Sequence, residues 1–318
     1  MKLRIRTLLL LLCALLLPLP AAADIPDDLF TETEVVTEDR EAGHWTYSND
    51  VLSIRIDRYS TTFIPEDLNV EKPLVYLVAH IYMREYSSYR SGFATVSENG
   101  TSMIEPTTIA RRYKAVLALS GDNLINAEKD WKGALIRNGR VYSNATGEAL
   151  MAFLDGGMSM QVFERKEITA EGLLEMGVRD TYSFGPWLIK NGEPNPKVHQ
   201  FRVNRMNPRA GLGMIEPGHF VAIVADGRQN DYSYGLTLTE FRDLFVKEGC
   251  VQAFNMDGGC STGLVFMGEH LNRHDGYPGA ADYQRPWVDC LLWGYSDLVP
   301  SVDAPVLYDG NREGARRH

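Results

Sequence analysis

Residues 237–259 read TLTEFRDLFVKEGCVQAFNMDGG, and the parsing of this run decides the fold. Thr237 and Glu240 stand at capping-box spacing and Gly249 supplies a stop, which predicts a helix over Leu238–Glu248. Val251 to Met256 then reads as a strand that runs straight into the turn Asp257-Gly258-Gly259. A short capped helix feeding a strand is the local unit.

The same grammar extends outward in both directions. Leu52, Ile54 and Ile56 alternate with polar residues, Leu74 to Met83 reads as a buried strand, and Glu105 to Lys114 reads as a helix feeding a strand at Ala115 to Leu119. Asn138-Gly139 and Asn191-Gly192 are hairpin turns between apolar runs, and Phe220 to Ala225 is a strand ending at Asp226-Gly227-Arg228. Helices scattered among hairpins predict an α+β fold: a single domain with a largely antiparallel or mixed sheet, several hairpins and a few packed helices. The domain is expected over residues 45–300. An acidic spacer is expected over 24–44 and a disordered tail over 301–318.

Composition supports a globular chain: 44% of the 318 residues are hydrophobic and 23% charged. Formal charge is −10, with no basic block, which argues against nucleic acid and anionic membranes as partners because phosphate contacts need clustered Lys and Arg. Residues 1–23 read as a signal peptide. Lys2, Arg4 and Arg6 precede the apolar run Leu8–Leu17, and Ala21-Ala22-Ala23 supplies small residues before Asp24. Cleavage there predicts a secreted or extracytoplasmic protein of charge −13, with no stable membrane insertion. Cys250, Cys260 and Cys290 would remain; three cysteines cannot all pair within one chain, and they read as small buried hydrophobes.

Chemistry is expected at three strand ends: Leu119-Ser120-Gly121-Asp122, the stretch from Asn207-Pro208-Arg209 to Asp226-Gly227-Arg228, and Asn255-Met256-Asp257-Gly258-Gly259-Cys260-Ser261. Glycines beside an acid let backbone N–H groups approach a ligand closely. Spelling alone is insufficient, since Asp155-Gly156-Gly157 lies between two β-like runs and reads as a plain hairpin turn. Gly259-Cys260-Ser261-Thr262-Gly263 matches the hydrolase elbow G-x-S-x-G, but a strand follows it where that motif requires a helix. His270 and His274 are spaced like a helical metal pair, yet no helical pattern surrounds them, so no metal site is assigned.

Taken in order, these segments resemble the phosphodiester glycosidases. The resemblance runs through Ala118-Leu119-Ser120-Gly121-Asp122, Phe184-Gly185-Pro186-Trp187, Pro208-Arg209-Ala210-Gly211-Leu212-Gly213, Asp226-Gly227-Arg228, Ser233 to Glu240, Asn255 to Ser261, and Arg285-Pro286. Two turns depart from the usual pattern: Ser120 replaces an Asn and Asn123-Leu124 an aromatic pair, and Cys260 replaces a third glycine. The acids and arginines are retained.

The resemblance implies an exported hydrolase that releases a sugar, N-acetylglucosamine-like, from a glycosyl-1-phosphodiester of an envelope or extracellular glycan. Asp122 and Asp257 would then be the carboxylate pair flanking the sugar, with Asp226 in reserve. Arg209, Arg228 and, more weakly, Arg285 would bind phosphate, because a guanidinium offers a planar two-pronged donor. Gly258, Gly259 and Ser261 would complete a phosphate cradle. Bland readings stand beside these: Glu240 belongs to the capping box, Arg209 also suits a structural ion pair, and Asp226 also begins a turn. The alternative is a non-catalytic polysaccharide-binding domain whose acids hold sugar hydroxyls or a Ca²⁺ cofactor.

Overall fold

The computed structural model describes residues 25–66, 68–94, 103–122, 133–273 and 285–302. The expected signal peptide, Asn123-Leu124, His274 and residues 303–318 of the tail lie outside them.

Nine strands form the main sheet: β1 (Val35–Asp39), β2 (His44–Ser48), β3 (Leu52–Phe63), β4 (Lys72–Met83), β12 (Trp187–Lys190), β13 (Glu193–Pro194), β14 (Arg209–Glu216), β15 (His219–Ala225) and β16 (Gln252–Met256). Their order is β1-β2-β3-β4-β15-β14-β16-β12-β13. A five-stranded sheet contains β5 (Tyr89–Phe93), β6 (Leu117–Ser120), β17 (Leu264–Phe266), β18 (Glu269–His270) and β19 (Asp289–Trp293), in the order β18-β17-β6-β19-β5. Two smaller sheets pair β7 (Ala134–Arg137) with β8 (Arg140–Asn144), and β9 (Leu150–Leu154) with β10 (Ser159–Phe163) and β11 (Asp180–Tyr182). Among the described residues every strand pairing is antiparallel.

The layers follow from alternation. Ile54 and Ile56 of β3, Leu77 and Ala79 of β4, and Phe220 and Ala222 of β15 face the five-stranded sheet, meeting Leu117, Leu264 and Trp293 in the largest core cluster. The opposite face of the main sheet buries Val221, Ile223 and Ala253 against the long helix Leu238–Lys247. That helix has the expected box: Glu240 N donates to Thr237 Oγ1 at 3.2 Å, and Thr237 N donates to Glu240 Oε2 at 2.8 Å. Gly211 and Gly213 let it approach β14, because a Cβ on either would lie within 3.0 Å of Phe241 or Phe245. Those two motif glycines therefore serve packing. A second helix, Pro106–Arg112, covers the outer face of the five-stranded sheet through Ile109 and Ala110, and a third, Ala170–Glu175, packs on β7 and β8.

The α+β expectation and its hairpins hold, with Asp155–Gly157 forming a tight turn between β9 and β10. The spacer does not. Val35–Asp39 is the edge strand of the main sheet, paired residue for residue with His44–Ser48, and Val36 packs against the core. Upstream, Thr31 N bonds Asn49 O at 3.1 Å. The acidic residues of this stretch occupy the solvent side of an edge, where charge discourages pairing with other chains, so high polarity there does not mean absence from the fold.

Candidate functional site

The site forms where the two sheets meet. β14 opens with Arg209, opposite Ala225 of β15, and Ala210 lies opposite Met256 of β16. Asp226, Arg209 and Asp257 therefore leave neighbouring strands at one end of the main sheet. The five-stranded sheet brings β6 to the same place: Asp257 N donates to Gly121 O at 3.0 Å, and Ser120 Oγ donates to Asp257 O at 2.9 Å. A small cleft of about 10 Å³ opens there, lined by Gly121, Asp122, Asp257, Ser261, Arg285 and Asp289 among others.

Asp257 carries the strongest chemical signature. Arg285 Nη2 reaches both of its carboxylate oxygens, at 3.1 and 2.8 Å, while Arg285 Nε donates to Ser261 Oγ at 2.6 Å. Burial nevertheless pushes the Asp257 carboxyl up to about 6; Arg285 and the Ser261 hydroxyl oppose that push, and the charge of Asp122 adds to it. A carboxylate poised near neutrality, oriented by a cation and facing a cleft, is the arrangement that proton transfer or charge stabilisation requires.

Arg228 flanks the other side of the Gly259–Ser261 turn. It is exposed, its Nε and Nη2 donate to Asn207 Oδ1 at 3.2 and 2.8 Å, and its Nη1 lies 3.6 Å from Cys260 Sγ. Two arginines thus bracket one acidic turn. Cys260 is half-buried, not the fully buried hydrophobe expected, whereas Cys250 and Cys290 are buried. Of the two N–H groups expected in the cradle, those of Gly258 and Gly259, the second is engaged within the protein: Gly259 N donates to Pro208 O, and beside it Ser261 N donates to Gly258 O.

Three expected roles change. The Asp122 side chain is fully enclosed. Its carboxylate accepts from Arg137 Nη2 at 2.8 Å and from the backbone N–H groups of Ser183 and Phe184, at 3.1 and 2.7 Å to Oδ1. It is a buried, fully bonded carboxylate that lies at the lining of the same cleft as Asp257. Arg209 is also buried and binds carbonyls only, those of Leu236, Val203 and Arg205, so it is neither an ion-pair partner nor a phosphate ligand. Burial, followed by the charge of Arg228, holds its guanidinium down at about 10. Asp226 accepts from Asn272 Nδ2, Arg273 N and Tyr232 OH at 3.1, 3.1 and 3.2 Å, which fastens the 262–273 segment to β15. Each of the three acids answers to its own donors, so they do not form a shared Ca²⁺ cage; among the described residues no cluster of metal-ligating side chains appears.

Arg137 and Asp289 went unassigned in the sequence. Asp289 Oδ2 accepts from Arg137 Nε and Nη2 at 3.2 and 2.6 Å, and Arg137 lies 3.9 Å over the Tyr182 ring. Burial pushes both Asp122 and Asp289 above the ordinary carboxylate range, against the pull of Arg137. The available signal was a lone charge inside an apolar strand, Ala134-Leu135-Ile136-Arg137 and Asp289-Cys290-Leu291-Leu292.

The phosphodiester glycosidase family (NAGPA) matches residues 113–292, more than half of the chain, and that span holds all the site residues. The SPbeta prophage-derived uncharacterized protein YomE of Bacillus subtilis (strain 168) is 28% identical over 273 residues, covering 83% of this chain and 40% of the relative. The chain thus spans about two fifths of that relative's length. The zebrafish N-acetylglucosamine-1-phosphodiester alpha-N-acetylglucosaminidase catalytic domain, auto-inhibited by its pro-peptide, superposes with a TM-score of 0.62 at 16% identity, over 76% of this chain and 83% of the other. A hypothetical protein from Synechocystis does so with a TM-score of 0.55 at 12% identity, over 77% and 62%. Both structural likenesses establish a shared fold. With the family match across β6 to β19, the chain belongs to the phosphodiester glycosidase family.

Proposed function

We propose that this protein hydrolyses glycosyl-1-phosphodiesters, releasing an N-acetylglucosamine-like sugar, and that Asp257 is the carboxylate that acts at C1. The observation that carries the reading is the pairing of Asp257 with Arg285 in the cleft, with the exposed Arg228 across the Gly259–Ser261 turn. In such a reaction the C1–O bond breaks and water supplies the new sugar hydroxyl. The leaving phosphate monoester departs without strong acid assistance, so one carboxylate at C1 suffices where ordinary glycosides need two. Asp257 stabilises the cation-like carbon and takes up the proton of water; the positive charge of Arg228 holds the phosphate. On a chain of net negative charge a local arginine is also what draws an anionic substrate in.

Export belongs to this proposal and rests on residues 1–23, with an envelope or extracellular glycan as the substrate's source. The test is incubation of purified residues 24–318 with nucleotide-linked N-acetylglucosamine in ¹⁸O-water. Free sugar carrying ¹⁸O at C1 supports the reading. Label in the phosphate would mean P–O cleavage by a phosphodiesterase, and binding without turnover would favour the polysaccharide-binding alternative.

A further inference from the structure

The cleft holds Asp257 through its backbone as well as through Arg285. Its N–H is bound by Gly121 O and its carbonyl by Ser120 Oγ, so both bonds come from one turn, Ser120–Asp122. That turn is in turn held by Asp289: Oδ1 accepts from Asp122 N at 3.0 Å, and Oδ2 takes the Arg137 fork that also reaches Asp122. Gly121 leaves no slack, since a Cβ there would lie 2.8 Å from Asp289 Cγ. Arg137 is fixed independently by the carbonyls of Ile136 and Thr181.

The cluster is charge-imbalanced: two carboxylates enclose one guanidinium, and none of the three side chains is exposed. Burying such a set costs more than an apolar filling of the same volume, so stability does not account for it. What it does is lock one turn against β16.

We propose that Asp289 is a positioning residue: together with Arg137 it clamps the Ser120–Asp122 turn and thereby sets where the Asp257 carboxylate stands in the cleft. The proposal rests on the assignment of Asp257 above. The groups facing Asp257 are Arg285, Ser261 and Asp122; those facing the clamp are Tyr182 and Asp180 on β11, Cys290 on β19 and Arg90 on β5. Removing the Asp289 charge frees Arg137 to neutralise Asp122, so less negative charge acts on Asp257 and its proton is lost at lower pH.

Asp289→Asn keeps the acceptor for Asp122 N–H and disrupts the fork. The measurement is residue-resolved amide exchange on the full mature chain, paired with the pH profile of turnover. The expected result is amide exchange at Asp257 and Asp122 at least tenfold faster, with β3 and β4 unchanged, a fall in kcat of about tenfold or more at near-constant KM, and an acid limb shifted to lower pH. Unchanged exchange at Asp257, or an unmoved acid limb in an active variant, overturns the proposal. Should Asp289→Asn not fold, Ser120→Ala removes one of the two bonds to Asp257 and is expected to change kcat without KM; an unchanged kcat overturns it. If the parent turns over no sugar phosphodiester, the glycosidase reading fails and the exchange data alone decide the clamp.

Discussion

Arg285 Nη2 bridges the two carboxylate oxygens of Asp257 while its Nε is turned to Ser261 Oγ, so one guanidinium fixes both the rotamer and the charge of the acid in the cleft. A partner placed this way favours the ionised carboxylate, and burial opposes it. The balance leaves Asp257 at about 6.

This balance makes the pH profile diagnostic. Asp257 is needed ionised, so kcat/KM is expected to rise with pH through about 6. Arg285→Ala removes the opposing cation, and the acid limb should move up by about one pH unit or more. Arg285→Lys should fall between the two. A pH–rate series on the three proteins checks the order.

Arg228 stands exposed at the rim, where it donates to Asn207 Oδ1 and approaches Cys260 Sγ. Arg228→Ala is expected to raise KM for phosphodiester-linked sugars by about tenfold or more, with little effect on neutral aryl glycosides. Steady-state comparison of the two substrate classes decides it.

Arg209→Ala should behave differently. Its guanidinium ties Leu236, Val203 and Arg205 to the start of β14, so truncation takes the donor from three carbonyls, that of Leu236 buried and the other two part-buried. The expected loss is about 3 kcal/mol of stability, from hydrogen bonds to a charged group. Urea unfolding measures it, and KM in the surviving folded fraction should change equally for charged and neutral substrates.

Asp226 makes a prediction about stability alone. Burial raises it to about 6 from an ordinary 3.8, so the folded state holds its proton more tightly than the unfolded chain. Its favourable contribution is complete below about 4 and is lost as pH rises through 6, a cost of about 3 kcal/mol at neutral pH. Asp226→Asn abolishes that slope. The stability difference between variant and parent should therefore shift in the variant's favour by about 3 kcal/mol between pH 4 and 7, as read by denaturant titration.

What the sequence disclosed followed the range of the interactions involved. The capping box at Thr237 and Glu240, the Asn138-Gly139 hairpin and the acidic turn at Asp257 are decided within a few residues, and all three are where they were expected. The enclosure of Asp122 was not legible because its partners, Arg137 and the N–H groups of Ser183 and Phe184, come from strands and loops that only the fold brings near. Arg209 looked like a phosphate ligand because a turn-side arginine in a glycine-rich motif suits one; nothing local revealed the loop carbonyls it binds. The acidic stretch before Trp45 was legible as solvent-facing but not as an edge strand, since an edge needs few apolar residues.

The direct measurement is turnover of an α-N-acetylglucosaminyl phosphodiester by Asp257→Asn, after amide exchange has shown the fold intact. The expected result is a loss of about a thousandfold or more in kcat, in line with removal of a group acting at the reacting atom. Turnover at the parent rate would contradict it.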